Sequence, residues 1–340
     1  MTGAQTLGRA VAALALTLWP LASGCASKDD VERTQVSHAG DGACDRPYAD
    51  SSPWNAPIGA APAVDPRSDE RVRTLGEELT SDPTQYTYPV YRAGPSASFE
   101  SVAIEGWLSD VRAGGRRLVN VSGGSVDVPV PQEARAAAGS DGQLIVLDPA
   151  TGDEWGFWQL RRDGDRWSAT NGYHYNTRWS GVPPLSDGDS AFVSRGAGVP
   201  YLAGLVRPCE IERGRIDHAL AFAYDSPSRA HVYPATKSDG NGNRDDLPEG
   251  ARLQLDPSLD AAALGDGGCR GPCLTIARAL QRYGMYVVDN SGRPKVMLEY
   301  EGTADWNGLV DERTAAPIPL RSFRVVEPPA PPTDAAGAAP

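Results

Sequence analysis

The segment from residue 153 to residue 176 carries the densest group of side chains that could bind or process a ligand. A strand alternates its side chains between two faces, so Glu154 shares one face with Trp158, and Trp155 shares the other with Phe157. Sugar rings stack on flat aromatic side chains, and amide or guanidinium groups bind hydroxyls and carboxylates. The candidate substrate-binding residues are Trp155, Phe157, Gln159, Arg161, Tyr173, His174 and Tyr175. The alternative is that the tryptophans of this region are core residues.

A second group of candidate residues surrounds His218. This histidine alternates with Ile216 and Leu220, whereas Asp217 alternates with three small alanines that would leave room for a ligand. A glycoside hydrolase needs two carboxyl groups as acid and base, and a lyase needs a base that abstracts a proton. The candidate catalytic residues are Glu154, Asp217 and His218, with Asp289 as a further carboxyl group and Tyr173 or Tyr175 as alternative bases. The alternative for His218 is a hydrogen-bonded residue of the core.

Oxygen-bearing side chains at alternate positions predict a metal site in the segment 239–250. The candidate ligands are Asp239, Asn241, Asn243 and Asp245, whose spacing matches the start of a calcium-binding loop. The match is partial, because Arg244 replaces the glycine of the turn and Gly250 stands where the bidentate acid belongs, with Glu249 next to it. The alternative is a surface loop without an ion. Calcium is the only cofactor that the sequence suggests.

Several common function classes are excluded by motif and charge. The sequence contains no G-x-S-x-G, no H-E-x-x-H, no P-loop and no dinucleotide-binding G-x-G-x-x-G after a strand. The formal net charge is −12 at pH 7, so nucleic acid is a poor partner.

The N-terminal 25 residues have the layout of an export signal. Arg9 precedes the apolar stretch Ala10–Leu21, which is shorter than the roughly 20 residues that span a membrane. The sequence Leu21-Ala-Ser-Gly-Cys25 resembles the bacterial lipobox, which implies cleavage before Cys25 and lipidation of its sulfur. Two or three acyl chains would hold the protein on a membrane of the cell envelope, the outer membrane if the organism has one. The alternative is an ordinary secreted protein.

Composition divides the chain into four parts. Residues 1–24 are the predicted signal peptide, and residues 25–52 are a polar stretch predicted to form a disordered tether. Residues 53–326 are predicted to fold as one β-rich domain, and residues 327–340 are predicted to be a disordered Pro/Ala-rich tail.

Four cysteines remain once Cys25 is set aside for lipidation: Cys44, Cys209, Cys269 and Cys273. An even number in an exported protein predicts two disulfides. Cys269 and Cys273 could close a small loop, which would pair Cys44 with Cys209, although three pairings are open. A zinc site is the alternative, but it would need ligands that this spacing does not supply.

Short apolar runs bounded by Gly, Pro, Asn and Asp predict a mainly β fold, a single β-sandwich or jelly-roll-like domain. The clearest hairpin joins Leu144–Leu147 to Glu154–Gln159. Two short helices are predicted, at Asp69–Leu79 and Leu274–Tyr283, from apolar residues at helical spacing.

Five runs of the body resemble a group of secreted bacterial β-proteins that are polysaccharide-active or lie on the cell surface. These runs are Ser52–Asn55, Gly214–Leu220, Tyr233–Ala235, Glu249–Pro257 and Ala279–Gly284. The resemblance carries no catalytic residue over to this chain. Together with the lipobox it predicts a surface lipoprotein that acts on extracellular polysaccharide as a hydrolase or lyase. The alternative is a glycan-binding or structural envelope lipoprotein without catalysis, and the predicted partners are the membrane and a polysaccharide.

Overall fold

Strands dominate the part of the chain that the computed structural model describes, residues 44–185 and 191–328. Strands make up 29% and helices 12%, so the predicted mainly β class is confirmed. The predicted signal peptide, the lipidation site Cys25 and most of the predicted tether and tail lie outside the described residues. Within the described ranges, no helix combines the length and the apolar content that spanning a membrane requires.

The described ranges contain seventeen strands and four α-helices. The strands are β1 Val90–Arg92, β2 Glu100–Ile104, β3 Trp107–Arg112, β4 Arg117–Ser122, β5 Ser125–Val128, β6 Leu144–Asp148, β7 Asp153–Trp158, β8 Arg161–Asp163, β9 Arg166–Ala169, β10 Asn171–Asn176, β11 Leu220–Tyr224, β12 Ser228–His231, β13 Pro248–Glu249, β14 Arg252–Leu255, β15 Met285–Asn290, β16 Lys295–Val296 and β17 Phe323–Val326. The helices are α1 Ser68–Val72, α2 Pro208–Glu212, α3 Ala261–Asp266 and α4 Pro272–Arg282, with short 3₁₀ turns at Arg73–Leu75 and Leu320–Ser322.

A six-stranded mixed sheet forms the middle of the fold, in the order β1-β6-β7-β10-β3-β4. The predicted hairpin is its β6–β7 pair, which is antiparallel with Leu144 opposite Phe157. A four-stranded sheet in the order β5-β2-β9-β8 covers one face, and the apolar core between the two sheets includes Trp155, Phe157 and Trp167. Trp155 and Phe157 of β7 are therefore core residues of this layer.

A five-stranded sheet in the order β16-β11-β15-β14-β17 covers the opposite face. The core between it and the six-stranded sheet contains Ala221 and Tyr286 of this sheet together with Tyr173 and Tyr175 of β10. Its outer face packs Leu220, Phe222 and Leu253 against Ile276 and Leu280 of α4. The described chain is thus layered, with three sheets and one main helix stacked on successive cores.

The predicted range matches the observed helix closely in one case and poorly in the other. Helix α4 begins at Pro272 and ends at Arg282, close to the predicted 274–283, with Gly284 at a φ of 73° just beyond it. The prediction of a helix over Asp69–Leu79 was too long. Helix α1 ends at Val72, and after the 3₁₀ turn Gly76 adopts a φ of 95°, which helical backbone does not allow.

Two disulfides are present, Cys44–Cys209 and Cys269–Cys273, which is the pairing favoured in the sequence. The first closes 165 residues of sequence and fixes the start of the described chain to α2. Residues 44–52 were predicted as part of the tether, but Tyr48 and Ser52 are buried at 6% and 0% exposure. This end of the predicted tether is therefore part of the folded body.

Candidate metal centre

Three carboxyl groups from separate parts of the chain meet at one point beside the five-stranded sheet. Asp239 lies in the loop between β12 and β13, Glu249 ends β13, and Asp289 lies near the end of β15. One carboxylate oxygen from each lies within 4.8 Å of the other two. This is the spacing of oxygen ligands around one metal ion of ordinary size.

A β-bulge in the pairing of β11 with β15 positions Asp289. Phe222 pairs with Val287, but Ala223 pairs with Asp289, so Val288 is an extra residue on β15. Simple alternation would place Asp289 on the same face as Val287, towards the core that contains α4. The bulge moves it to the face of Ala223, where the carboxyl group of Glu249 lies.

Strand β13 brings Glu249 to the same place through its own hydrogen bonds. The Gly250 N–H donates to the carbonyl of Val287 at 2.7 Å, and the Val232 N–H donates to the carbonyl of Glu249 at 2.8 Å. Gly250 has a φ of 87°, and a Cβ there would lie 1.7 Å from the Val232 carbonyl oxygen. Only glycine fits this position, so the sharp turn after Glu249 is encoded by Gly250.

Gly196 completes the centre by leaving room for the carboxylates. The N–H of the next residue, Ala197, donates to the Val288 carbonyl at 2.8 Å, which holds this loop against β15. A Cβ on Gly196 would lie 2.3 Å from Glu249 Oε1 and 2.4 Å from Asp239 Oδ1. The carboxylate oxygens thus occupy the space that a side chain at residue 196 would need.

The electrostatic state of Glu249 is unusual. Its side chain has no exposed surface, and neither carboxylate oxygen has a hydrogen-bond partner among the described residues. Burial, followed by the charges of Asp239 and Asp289, raises the pKa of Glu249 to about 9. The closeness of Asp239 therefore makes ionisation of Glu249 less favourable.

Asp289 is partly exposed, and its pKa is raised as well. Burial and the neighbouring charge of Asp239 raise its pKa to about 7, and the positive charges of Arg195 and Lys237 act in the opposite direction. Two carboxyl groups with raised pKa values and a third beside them form an arrangement that a bound cation would stabilise.

The chemistry of the donor set is that of a hard cation site. All three donors are carboxylate oxygens, which calcium and magnesium prefer, whereas zinc prefers imidazole and thiolate. Asp239 is exposed, Asp289 is partly exposed and Glu249 is buried, so the centre has a closed inner side and an open outer side.

The structure brings one of the four predicted calcium-loop residues, Asp239, into this cluster. Asp245 instead forms an ion pair with Arg67, the backbone N–H of Asn243 donates to Asp246, and Asn241 is exposed. Two members of the cluster, Glu249 and Asp289, were not among the predicted metal ligands. The partial loop motif placed Glu249 near the expected position, but no sequence pattern links Asp289 to it across 40 residues.

Glu154, predicted as a catalytic acid, lies in a different place and is buried. It accepts hydrogen bonds from the hydroxyls of Tyr173 at 2.7 Å and Tyr48 at 2.9 Å, and from the Leu202 N–H at 3.3 Å. Burial raises the pKa of Glu154, and these donors act against the increase. The contacts join the N-terminal segment to the six-stranded sheet, which is a structural role.

The predicted catalytic pair Asp217 and His218 does not meet Glu154 in any hydrogen bond or ion pair between described residues. His218 is buried, with Nε2 at 3.0 Å from Glu210 Oε1 and Nδ1 at 2.9 Å from the Ala219 carbonyl. Asp217 forms an ion pair with Arg215 at 2.8 Å. These partners correspond to the alternative of a hydrogen-bonded core histidine.

The predicted substrate-binding residues do not form one exposed surface. Trp155, Phe157, Tyr173 and Tyr175 are buried, so they offer no open ring face to a glycan. Gln159 accepts a hydrogen bond from the Thr170 hydroxyl, and exposed Arg161 pairs with Glu105.

His174 alone of this set is both partly exposed and surrounded by charge. Its ring nitrogens lie 2.9 Å from Asp110 Oδ1 and 3.1 Å from Asp153 Oδ1. The aromatic residues of β7 and β10 pack in the cores on the two faces of the six-stranded sheet, so the substrate-binding surface predicted there is a core.

No family model matches the sequence, no curated protein matches it, and no solved structure matches the fold.

Proposed function

We propose that this protein is a calcium-binding protein of the cell envelope that holds the ion through Asp239, Glu249 and Asp289. The proposal is supported mainly by the surroundings of Glu249. Both of its carboxylate oxygens are buried, and neither has a hydrogen-bond partner among the described residues. A buried polar group without a hydrogen-bond partner is unfavourable, and a cation between the three groups would remove the penalty.

Calcium suits this centre better than magnesium or zinc. Calcium accepts six to eight oxygen ligands in flexible geometry, whereas magnesium requires a near-ideal octahedron and retains several waters. Three carboxylates on two strands and a loop can supply between three and six of those oxygens. An affinity of about 10⁻⁴ to 10⁻³ M, as in extracellular calcium modules, is expected.

Calorimetric titration of the full chain with CaCl₂, after removal of metals with EDTA, tests the proposal. One ion should bind per chain, and calcium should raise the melting temperature. Asp289→Asn should weaken binding at least tenfold, which corresponds to about 1.4 kcal/mol. Far-ultraviolet circular dichroism would verify that the variant is folded.

Asp245→Asn is the matched control, because Asp245 belongs to the loop motif but pairs with Arg67. It should bind calcium like the unaltered chain. The reverse pattern, in which Asp245→Asn loses calcium and Asp289→Asn retains it, would assign the ion to the loop and overturn the proposal.

The envelope location depends on the lipobox-like sequence at Cys25. Expressed with its signal sequence in a bacterial host, the protein should incorporate labelled palmitate and enter the detergent phase on Triton X-114 partition. Cys25→Ser should abolish both properties. A protein that is exported but stays in the aqueous phase would instead be an ordinary secreted protein.

A polysaccharide hydrolase is a second candidate, favoured by the spacing of carboxylate oxygens within 4.8 Å at an open surface. A glycosidase uses two carboxyl groups that flank one bond, and the three acids of the centre supply more than one such pair. Release of reducing sugar from a panel of neutral and acidic glycans, with EDTA present, tests it. Activity that Asp239→Asn removes would support this candidate, and no release across the panel would eliminate it.

A further inference from the structure

The open side of the carboxylate centre leaves part of an ion's coordination shell free. Glu249 forms the buried floor, while Asp239 is exposed and Asp289 is partly exposed. Calcium takes up to eight oxygens, and three carboxylates supply at most six. The remaining positions face solvent on the Asp239 side, where oxygens of another molecule can replace water.

A positively charged side chain lies beside this opening. Lys237 donates from Nζ to the carbonyl of Gly196 at 2.9 Å, and its charge acts on Glu249 and Asp289. Three carboxylates, a divalent cation and one lysine sum to about zero. The whole chain carries a formal charge of −12, whereas the loaded centre has no net charge that would repel an anion.

A ligand that uses this opening must bring its own hard oxygens. A uronate residue presents a carboxylate together with hydroxyls on neighbouring carbons, so one sugar can fill several coordination positions at once. A neutral sugar supplies hydroxyls alone, which are weaker ligands for calcium. Acidic glycan is therefore the class of polysaccharide whose chemistry fits the loaded centre.

We infer that the calcium centre binds acidic polysaccharide, with the ion bridging Asp239 and Asp289 to a uronate carboxylate. This inference rests on the proposed calcium site. Binding of the glycan would then require calcium, because the acidic protein and an acidic glycan repel each other without the ion.

Short oligogalacturonates are the probe, titrated into the full chain with calcium or with EDTA. Binding should occur with calcium, disappear with EDTA and be absent for neutral dextran oligomers of equal length. Lys237→Gln should weaken oligogalacturonate binding severalfold, because it removes the positive charge beside the loaded centre, and calcium titration of the same variant shows whether the centre itself is intact. Asp245→Asn should change neither.

Calcium binding measured without sugar separates the two proposals. If calcium binds and oligogalacturonate does not, the inference is overturned and the calcium site stands. If calcium itself does not bind, both fail. Equal binding of oligogalacturonate in EDTA would place the glycan at another surface and also overturn the inference.

Discussion

Gly196 and Glu249 lie so close that a Cβ at residue 196 would stand 2.3 Å from Glu249 Oε1. The same Cβ would stand 2.4 Å from Asp239 Oδ1, so this one glycine faces two of the three carboxylates. The carboxylates of Glu249 and Asp239 can therefore take these positions only if residue 196 has no side chain.

Gly196→Ala should weaken calcium binding at least tenfold, or about 1.4 kcal/mol, since the methyl group displaces the two carboxylates. The measurement is calorimetric titration with CaCl₂ together with the calcium-induced change in melting temperature. Gly59→Ala is the control, because a Cβ at residue 59 meets no atom within 4 Å. Unchanged calcium affinity in Gly196→Ala would mean that the ion does not use Glu249 and Asp239.

Tyr48→Phe should lower the free energy of unfolding by about 1–3 kcal/mol, because Glu154 loses one of its donors while it stays buried. Urea denaturation measures the change. Calcium affinity should be unaltered, since Glu154 lies outside the carboxylate centre. Tyr86→Phe, at a tyrosine that is 49% exposed, should stay within about 0.5 kcal/mol of the unaltered chain.

His174 should make stability depend on pH. Partial burial lowers its pKa, but hydrogen bonds and charges from Asp110 and Asp153 raise it by more, so the net shift is upward. Arg112 also pairs with Asp110. A raised pKa in the folded state gives stabilisation that is full below the unfolded value of about 6.5 and is lost as pH rises through the folded value.

His174→Gln should therefore destabilise the protein more at acidic than at alkaline pH, within the range above the titration of Asp110 and Asp153. Urea unfolding of both proteins across that range gives the comparison. A difference in unfolding free energy that is constant with pH, or that grows as pH rises, would contradict the assignment.

The two disulfides should differ in their contribution to stability. Loss of Cys44–Cys209, which closes 165 residues, should cost about 5 kcal/mol by chain entropy, against about 2 kcal/mol for Cys269–Cys273 with its separation of 4. The double serine variants, unfolded in urea, provide the comparison. A larger loss of unfolding free energy on removing Cys269–Cys273 would show that packing around α4 contributes more to stability than the entropy of loop closure.

The sequence alone was enough to predict structural elements that depend on residues close together in the chain. The β6–β7 hairpin has its turn residues between two apolar runs, and α4 has a proline near its start and Gly284 after its end. The even cysteine count and the short Cys269–Cys273 spacing favoured the disulfides that are present. The spaced oxygen residues after Ser238 identified Asp239 as a ligand candidate.

Tertiary structure decided which face of each strand is buried and which acids meet. Trp155 and Phe157 have the same sequence pattern whether their face lines a cleft or a core, and only the covering four-stranded sheet made it a core. Asp289 reached Glu249 through an extra residue at Val288, which reverses the alternation of β15. A bulge depends on the partner strand β11 rather than on β15 alone, so it cannot be predicted from the residues of β15. The sequence therefore predicted an ion site at Asp239 but not the other two carboxylates that meet there.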